Sequence, residues 1–292
     1  KVCVRLKAPL HGDPPLRCNV DKTSISYEEE NNNTIESKHF QFDHVFPTGA
    51  GQGDVFDFVA PLVSALLEGE DSAVVCCGGE NSGRTYTLEG NENTPGVIFR
   101  ATVWLFHTIE EYAPPGIACL VKASVCEVTH DTITDLLKEQ AGVTHHVRDD
   151  KAHGFVVSGL SNVLIRKPAD ILAVKSMLWR NPVPGAHMVF SLTLEQIKPS
   201  GALPSRESEE PVQGSLVRFA RLNFVSVCMS ESTASLRLNS DARHLNNVVY
   251  ALEKKLPHVP FHKSKVALLL RDALSGVIPA AMIANVSLAQ SS

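Results

Sequence analysis

Residues 72–85 read SAVVCCGGENSGRT, an apolar run that passes directly into a glycine-rich segment. Residues 72–77 have the small and β-branched side chains of a buried strand. Residues 78–85 predict a tight turn that opens a helix, because glycine reaches backbone angles that other residues avoid. Proteins often hold phosphate at a turn of this kind. The stretch therefore predicts a βα unit with a potential anion-binding loop.

Strand and helix patterns alternate on both sides of this unit, which predicts an α/β fold with a central, mostly parallel sheet and helices on both faces. Residues 1–292 are expected to form one domain. Strands are predicted at 2–6, 72–77, 118–128, 155–165, 188–197, 216–228 and 281–286, and helices at 54–67, 97–109, 132–137, 168–178, 236–256 and 266–274. Residues 28–33 are expected to form a solvated loop tip, and residues 198–214 a long exposed hairpin loop.

Composition excludes several classes of function. The 292 residues are 43% hydrophobic and carry a net charge of −5, so the surface as a whole is not expected to attract nucleic acid. No apolar run approaches the roughly 20 residues of a membrane-spanning helix. The seven cysteines lack C-x-x-C spacing and the twelve histidines lack zinc-site spacing, which favours reduced thiols in a cytosolic protein without a structural metal.

Several further stretches, in a fixed order, resemble the kinesin motor domain. They are FQFDHVF at 40–46, LNNVVYAL at 245–252, HVPFHKSK at 258–265 and MIANVS at 282–287. The family's corresponding stretches are F-x-F-D-x-V-F, L-G-N-V-I-x-A-L, H-I-P-Y-R-D-S-K and M-I-A-N-I-S. Residues 4–9, which read VRLKAP, are similar to the end of the family's first strand and its adenine-contacting turn. The resemblance implies a kinesin-like fold of the P-loop NTPase type that ends before the family's last helix and neck.

The phosphate-binding loop departs from the family's G-Q-T-G-S-G-K-T. Gly78, Gly83 and Thr85 keep the frame, but Arg84 stands at the position of the phosphate-binding lysine and Asn81 at that of the inner glycine. Arginine is broad and forked, so it does not simply replace a point charge at the phosphates. Residues 78, 83, 84 and 85 are therefore candidates for a residual and weak nucleotide site, or for a turn that has only a structural role.

The two switch segments depart further. The resemblance places the family's catalytic serines at Val183 and Pro184 and its latching arginine at Gly185. In the second switch, Ser226 stands at the position of the aspartate that supports Mg²⁺, and Met229 at that of the glycine that senses the γ-phosphate. Nucleotide hydrolysis depends on positioning and charge stabilisation, so these losses predict no ATP turnover and no required ATP or Mg²⁺.

Residues 251–272 reverse the local charge of an acidic chain. Five cations stand there against two carboxylates: Lys254, Lys255, Lys263, Lys265 and Arg271 against Glu253 and Asp272. An acidic partner is one explanation, and a solvated helix face is the other. The resemblance implies tubulin as that partner, because the matching loop and helix of kinesins lie on the acidic microtubule.

Three hypotheses follow. The leading one is an inactive kinesin-like module in the cytoplasm, attached to the cytoskeleton, that binds microtubules or docks onto another kinesin chain or an assembly protein. Its rival is a divergent motor that binds ATP weakly through Arg84 and Thr85. The third is a structural component of a larger cytoskeletal assembly. Neither nucleic acid nor membrane is expected as a partner.

Overall fold

The computed structural model describes residues 1–9, 18–31, 34–129, 132–138, 144–151, 153–175, 183, 185–201, 212–229 and 239–288. Groups of strands and groups of helices follow one another along the chain. The strands are β1 (Val2–Lys7), β2 (Cys18–Val20), β3 (Ser24–Asn31), β4 (Thr34–Gln41), β5 (His44–Phe46), β6 (Ser72–Gly78), β7 (Ala118–Val128), β8 (Ile133–Asp135), β9 (Val147–Asp150), β10 (Gly154–Val157), β11 (Val163–Ile165), β12 (His187–Pro199), β13 (Gly214–Cys228) and β14 (Ala280–Ser287). The helices are α1 (Gln52–Glu68), α2 (Arg84–Glu89), α3 (Val97–Tyr112), α4 (Asp170–Lys175), α5 (Asn239–Glu253), α6 (Lys265–Leu269) and α7 (Arg271–Leu274), with a short 3₁₀ helix at Phe261–Lys263.

One large mixed sheet organises the domain. Its strands lie in the order β11-β7-β12-β13-β6-β14-β1-β5, and β8 pairs with the outer part of β7. The half from β13 to β5 is parallel, whereas β11, β7, β12 and β13 pair in antiparallel fashion. Parallel strands align their carboxyl ends, so β6 and β13 deliver Gly78 and Cys228 side by side at one edge. The candidate phosphate loop begins at that edge.

Helices cover both faces of the sheet, which confirms the predicted α/β architecture. Alternate residues of β6 divide between two cores: Val74 and Cys76 pack with α1 and α3, while Ala73 and Val75 pack with α5 and α6. Burial on both sides explains why the central strands are almost continuously apolar. Phe190 and Phe224, both fully buried, meet in the larger core with ring centroids 6.1 Å apart.

Two smaller sheets lie outside the large one. Strands β2, β3 and β4 form an antiparallel three-stranded sheet, and β9 pairs with β10 in an antiparallel hairpin. The hairpin approaches α6 and α7 and so lies over the second face of the large sheet.

Some predictions from the sequence were wrong. Residues 28–31 were expected in a loop tip but continue β3, where their backbone pairs with β4 up to Asn31 and Thr34. Residues 132–137 were expected to begin a helix, yet Ile133–Asp135 forms β8, which suits its β-branched residues better. The single strand predicted at 155–165 is two strands in different sheets. Pairing of β12 with β13 extends to Pro199 and Gly214, so the hairpin loop is shorter than predicted.

Phe224 should be among the residues on which the fold depends most. We expect Phe224→Ala to lower the free energy of unfolding by about 3–5 kcal/mol, because it leaves a cavity between the sheet and α1. Urea denaturation followed by circular dichroism would measure the loss. The control is Val277→Ala, whose side chain is 71% exposed and should change stability by less than about 0.5 kcal/mol. Equal effects of the two changes would contradict the packing described above.

Candidate nucleotide site and partner surface

The loop between β6 and α2 has the backbone geometry of a tight strand-to-helix turn. A side chain at Gly78 would collide with the carbonyl oxygen of Asn285 on the neighbouring strand, so glycine is required there. Gly83 precedes α2 with a φ of +104°, which also favours glycine. Asn81 has a φ of +58°, a conformation that asparagine tolerates better than most residues. The turn that the family builds with an inner glycine is thus kept with Asn81.

Arg84 contacts the residue that stands in place of the second switch's aspartate. Its Nη1 donates a hydrogen bond of 3.1 Å to Oγ of Ser226, whose side chain is buried. Ser226 lies opposite Cys76 in the β13–β6 pairing, two residues before Gly78, where the loop begins. The arginine therefore points across the mouth of the turn to β13. Thr85, the next residue, is exposed.

The backbone of the second switch is tied to the same loop. The amide of Met229, at the position that senses γ-phosphate in the family, donates a 2.9 Å hydrogen bond to the carbonyl of Gly78. This contact prolongs the β13–β6 ladder by one residue. An amide bonded to the protein in this way is not available to a phosphate oxygen.

Val183, at a position of the family's first switch, is held on β7. The amide of Val183 donates a 2.9 Å hydrogen bond to a carboxylate oxygen of Glu127, and the amide of Ala186 donates to the carbonyl of Val183. Gly185 takes a φ of +76° within this turn. Burial raises the pKa of Glu127, although the bond from Val183 acts in the opposite direction. Pro184 lies outside the described residues.

The groups at this site differ from those that usually hold Mg²⁺ with a nucleotide. Mg²⁺ is held by carboxylate and hydroxyl oxygens at short distances and in octahedral geometry. Here Ser226 supplies no carboxylate and accepts from a guanidinium, which would repel the metal. Among the described residues, no group of three or more histidine, cysteine, aspartate or glutamate side chains could hold a metal ion.

His187 is a buried part of the same region. Its Nδ1 accepts a 3.1 Å hydrogen bond from the amide of Cys228, so the proton of the neutral ring lies on Nε2, 3.9 Å from Oδ2 of Asp241. The pKa of His187 is lowered to about 4, chiefly by burial; Asp241 opposes the shift and Arg84 adds to it. The ring is neutral at physiological pH and joins β12 to β13, in keeping with a structural role.

A buried polar network lies beneath the loop, on the side of the family's adenine-contacting turn. The Arg5 guanidinium donates to Oε1 of Gln52 at 2.9 Å and to Oγ1 of Thr87 at 3.0 Å, and Thr87 donates to Asn285. The Arg5 guanidinium also lies 5.0 Å from the centre of the Tyr86 ring. These bonds attach α2 to β1, α1 and β14 without any bound group.

The basic residues near the end of the chain differ in their surroundings. Lys255 and Lys263 are exposed, on the segment that follows α5 and on the 3₁₀ helix that contacts α5. Lys254 is exposed but bonded to Glu253 at 2.9 Å. Lys265 is half-buried at the start of α6. Arg271 is bonded to Asp272 at 2.8 Å and covers the Phe155 ring at 4.2 Å. Lys255 and Lys263 are therefore the stronger candidates for an acidic partner.

Sequence reasoning placed Arg84 and Ser226 in separate elements and missed their contact. A signal was present: Arg84 follows β6 and Ser226 lies near the end of β13, two strands that a parallel sheet places side by side.

In the part of the chain that the structure describes, no helix is long and apolar enough to cross a membrane.

A glycine-rich turn after a parallel strand, with the end of the neighbouring parallel strand β13 bonded to it, is typical of an α/β fold of the P-loop NTPase type. The chain belongs to the kinesin motor domain family, whose model matches residues 12–292.

Individual relatives agree with this assignment. The chain is 25% identical to protein claret segregational of Drosophila melanogaster, over 98% of this chain and 43% of that protein. It is 32% identical to the human kinesin-like protein KIF7, over 86% of this chain and 20% of that protein. The chain thus spans less than half of the length of these relatives.

Solved structures show the same fold. One of them is a KIF14 dimer with AMP-PNP, bound to a microtubule through both heads. It matches 99% of this chain at a TM-score of 0.81 and 23% identity. The motor and motor homology domain of Kar3Vik1 matches 99% at a TM-score of 0.80 and 22% identity.

The buried, neutral His187 predicts a stability that depends on pH. Its pKa is about 4 in the folded protein against 6.5 in the unfolded chain, so protons bind the unfolded chain more readily. The stability that the neutral His187 ring contributes is complete above pH 6.5. The free energy of unfolding decreases as the pH falls from 6.5 towards 4, by about 3 kcal/mol in all. His187→Asn, which retains an acceptor for the Cys228 amide, should flatten this part of the curve. Denaturant midpoints of the unaltered domain and of His187→Asn at pH 7 and pH 4.5 would test this prediction. An equal fall of the midpoint in both proteins would contradict the role assigned to His187.

Proposed function

We propose that this domain is a kinesin-like module that binds a microtubule or a partner subunit of the cytoskeleton without hydrolysing ATP. The observation that carries the proposal is the hydrogen bond from Arg84 to Ser226. In an active site of this family, the cation of the loop faces phosphate and the carboxylate of the second switch supports Mg²⁺. Here the cation Arg84 donates a hydrogen bond to Ser226, which stands at the position of that carboxylate.

Two further contacts support the proposal. The Met229 amide is bonded to Gly78, and the turn at residues 183–186 is held by Glu127. Both segments have to change contacts in response to γ-phosphate for a motor to work, and both are bonded to the protein instead. A ligand that interacts equally with two states cannot shift their balance. Partner binding should therefore be independent of nucleotide.

The rival function, a divergent ATPase, is favoured by the retained turn with Gly78 and Gly83 and by the exposed hydroxyl of Thr85. A titration with a fluorescent ATP analogue and Mg²⁺ separates the two. Saturable binding that requires Thr85 would support the rival.

ATP turnover stimulated by microtubules should be absent, and Arg84→Lys should not restore it, because both switches would still lack their catalytic groups. Phosphate release with and without microtubules would measure this, with the same domain of an active kinesin as the positive control. Turnover near the lower end of ordinary enzymes, about 1 s⁻¹, in either form would overturn the proposal.

Microtubule binding should be equal in ATP, in ADP and without nucleotide, and should depend on Lys255 and Lys263. Exchange of both for glutamate should weaken co-sedimentation roughly tenfold, and added salt should do the same, since the Debye length is about 10 Å at 0.1 M. The matched control exchanges Lys22 and Lys167, which are exposed outside the 251–272 segment. Arg84→Ala should have no effect.

Release of the protein from microtubules by ATP would contradict the proposal that partner binding is independent of nucleotide. If the Lys255 and Lys263 exchange does not weaken binding, the basic surface does not mediate contact with tubulin. Binding to another kinesin chain, but not to microtubules, would favour the partner-subunit form of the proposal.

A further inference from the structure

A cavity of about 250 Å³ lies on the second face of the large sheet, away from the phosphate loop. Its floor is formed by β7, β12 and β13, and its roof by the β9–β10 hairpin with α6, α7 and the segments that follow β10 and α7. The volume is slightly below the usual range of roughly 300–1,000 Å³ for small-molecule sites. A compact ligand would fit it.

The floor changes in polarity from one end to the other, in three rows that the strand register defines. Val189 lies between Cys126 and Val225 in an apolar row; Ser191 lies between Ser124 and Asn223 in a polar row; and Thr193 lies between Lys122 and Arg221 in a charged row. Successive rows are two residues apart along each strand, so the apolar and charged rows are separated by about 13 Å.

The apolar end is closed by side chains from the roof. Val157, Leu270 and Ile278 pack in the same cluster as Val189 and Val225. The polar row is internally bonded, since Oγ of Ser191 donates a 2.6 Å hydrogen bond to Oδ1 of Asn223. Since the Ser191 hydroxyl proton is already used, the polar row mainly shapes the floor. The apolar and charged ends determine which ligand the cavity accepts.

The charged end brings three cations together. Lys122, Arg148 and Arg221 line it beside one lining carboxylate, Glu195, and a carboxylate oxygen of Asp150 lies 3.6 Å from the Arg148 guanidinium. The Lys122 ammonium donates to Glu195 at 2.7 Å, which leaves two of its three protons for other acceptors. Burial lowers the pKa of Arg221, although Asp71 and Asp150 nearby favour its charged form. An anion beside Arg221 would offset the cost of that burial.

We propose that this cavity binds a small amphipathic carboxylate, with the anionic group at Arg221 and Lys122 and the apolar part against Val189, Val225 and Leu270. A guanidinium and a carboxylate match in a planar, two-bond geometry. The apolar chain gains by leaving water at the closed end. The site is separate from the phosphate loop, so it does not depend on the proposed function.

Octanoate is the probe of choice, with octanol and octylamine as neutral and cationic comparisons. Ligand-observed NMR and isothermal titration on the whole domain should give a dissociation constant on the order of 1 mM for octanoate. Octanol should bind roughly tenfold more weakly, because it lacks the charge-assisted hydrogen bonds. Octylamine should not bind.

Three variants locate the binding. Arg221→Gln should weaken octanoate binding roughly tenfold and remove the preference over octanol, and Arg221→Lys should restore part of it. Ala273→Phe, on the roof, should abolish binding by filling the cavity. Arg218→Gln, an exposed arginine on the same strand, should have no effect.

Each result has a defined consequence. If Arg221→Gln does not fold, as judged by its melting curve, the octanol comparison and Ala273→Phe still decide the matter. Equal binding of octanoate and octanol would overturn the proposal in favour of a purely apolar cavity. Undiminished octanoate binding in Ala273→Phe, or no octanoate binding to the unaltered domain, would also overturn it.

Discussion

The parallel contact between β6 and β13 is the constraint on which the rest of the site depends. Seven residue pairs, from Leu222 with Ser72 to Cys228 with Gly78, bring two distant parts of the chain to one sheet edge. The contact places Ser226 within reach of Arg84 and extends the ladder to Met229. In this chain, hydrogen bonds within the protein join the two segments.

Much of the fold could be predicted from the sequence because its central strands are long and apolar. The strand at 118–128 was predicted with the bounds that the structure shows. Short, polar elements were less predictable: the β3–β4 hairpin and β8 depend on backbone pairing, which side-chain periodicity does not report. The contact of Arg84 with Ser226 joins residues 142 positions apart, so only the strand register reveals it. The substitutions themselves were visible from the resemblance.

The two faces of the large sheet differ in a way that the sequence already contained. Residues 122 and 124, 191, 193 and 195, and 221 and 223 are polar or charged at every second position of otherwise apolar strands. Their alternation indicates a polar patch inside the domain, above which α6 and α7 form part of the roof. Phe155 lines the cavity from the roof, and its ring is covered by Arg271, one of the five cations of the 251–272 segment. An occupant of the cavity would therefore lie beside a ring that this cation covers.

The hydrogen bond between Arg84 and Ser226 also affects how the stability of the domain responds to its surroundings in a cell. A protein that binds a ligand only when folded gains stability as the ligand concentration rises. Under the proposed function, the arginine of the phosphate loop is already bonded to Ser226, and the stability of the domain would not vary with the ATP concentration. Its binding to a partner would then be the same in starved and well-fed cells.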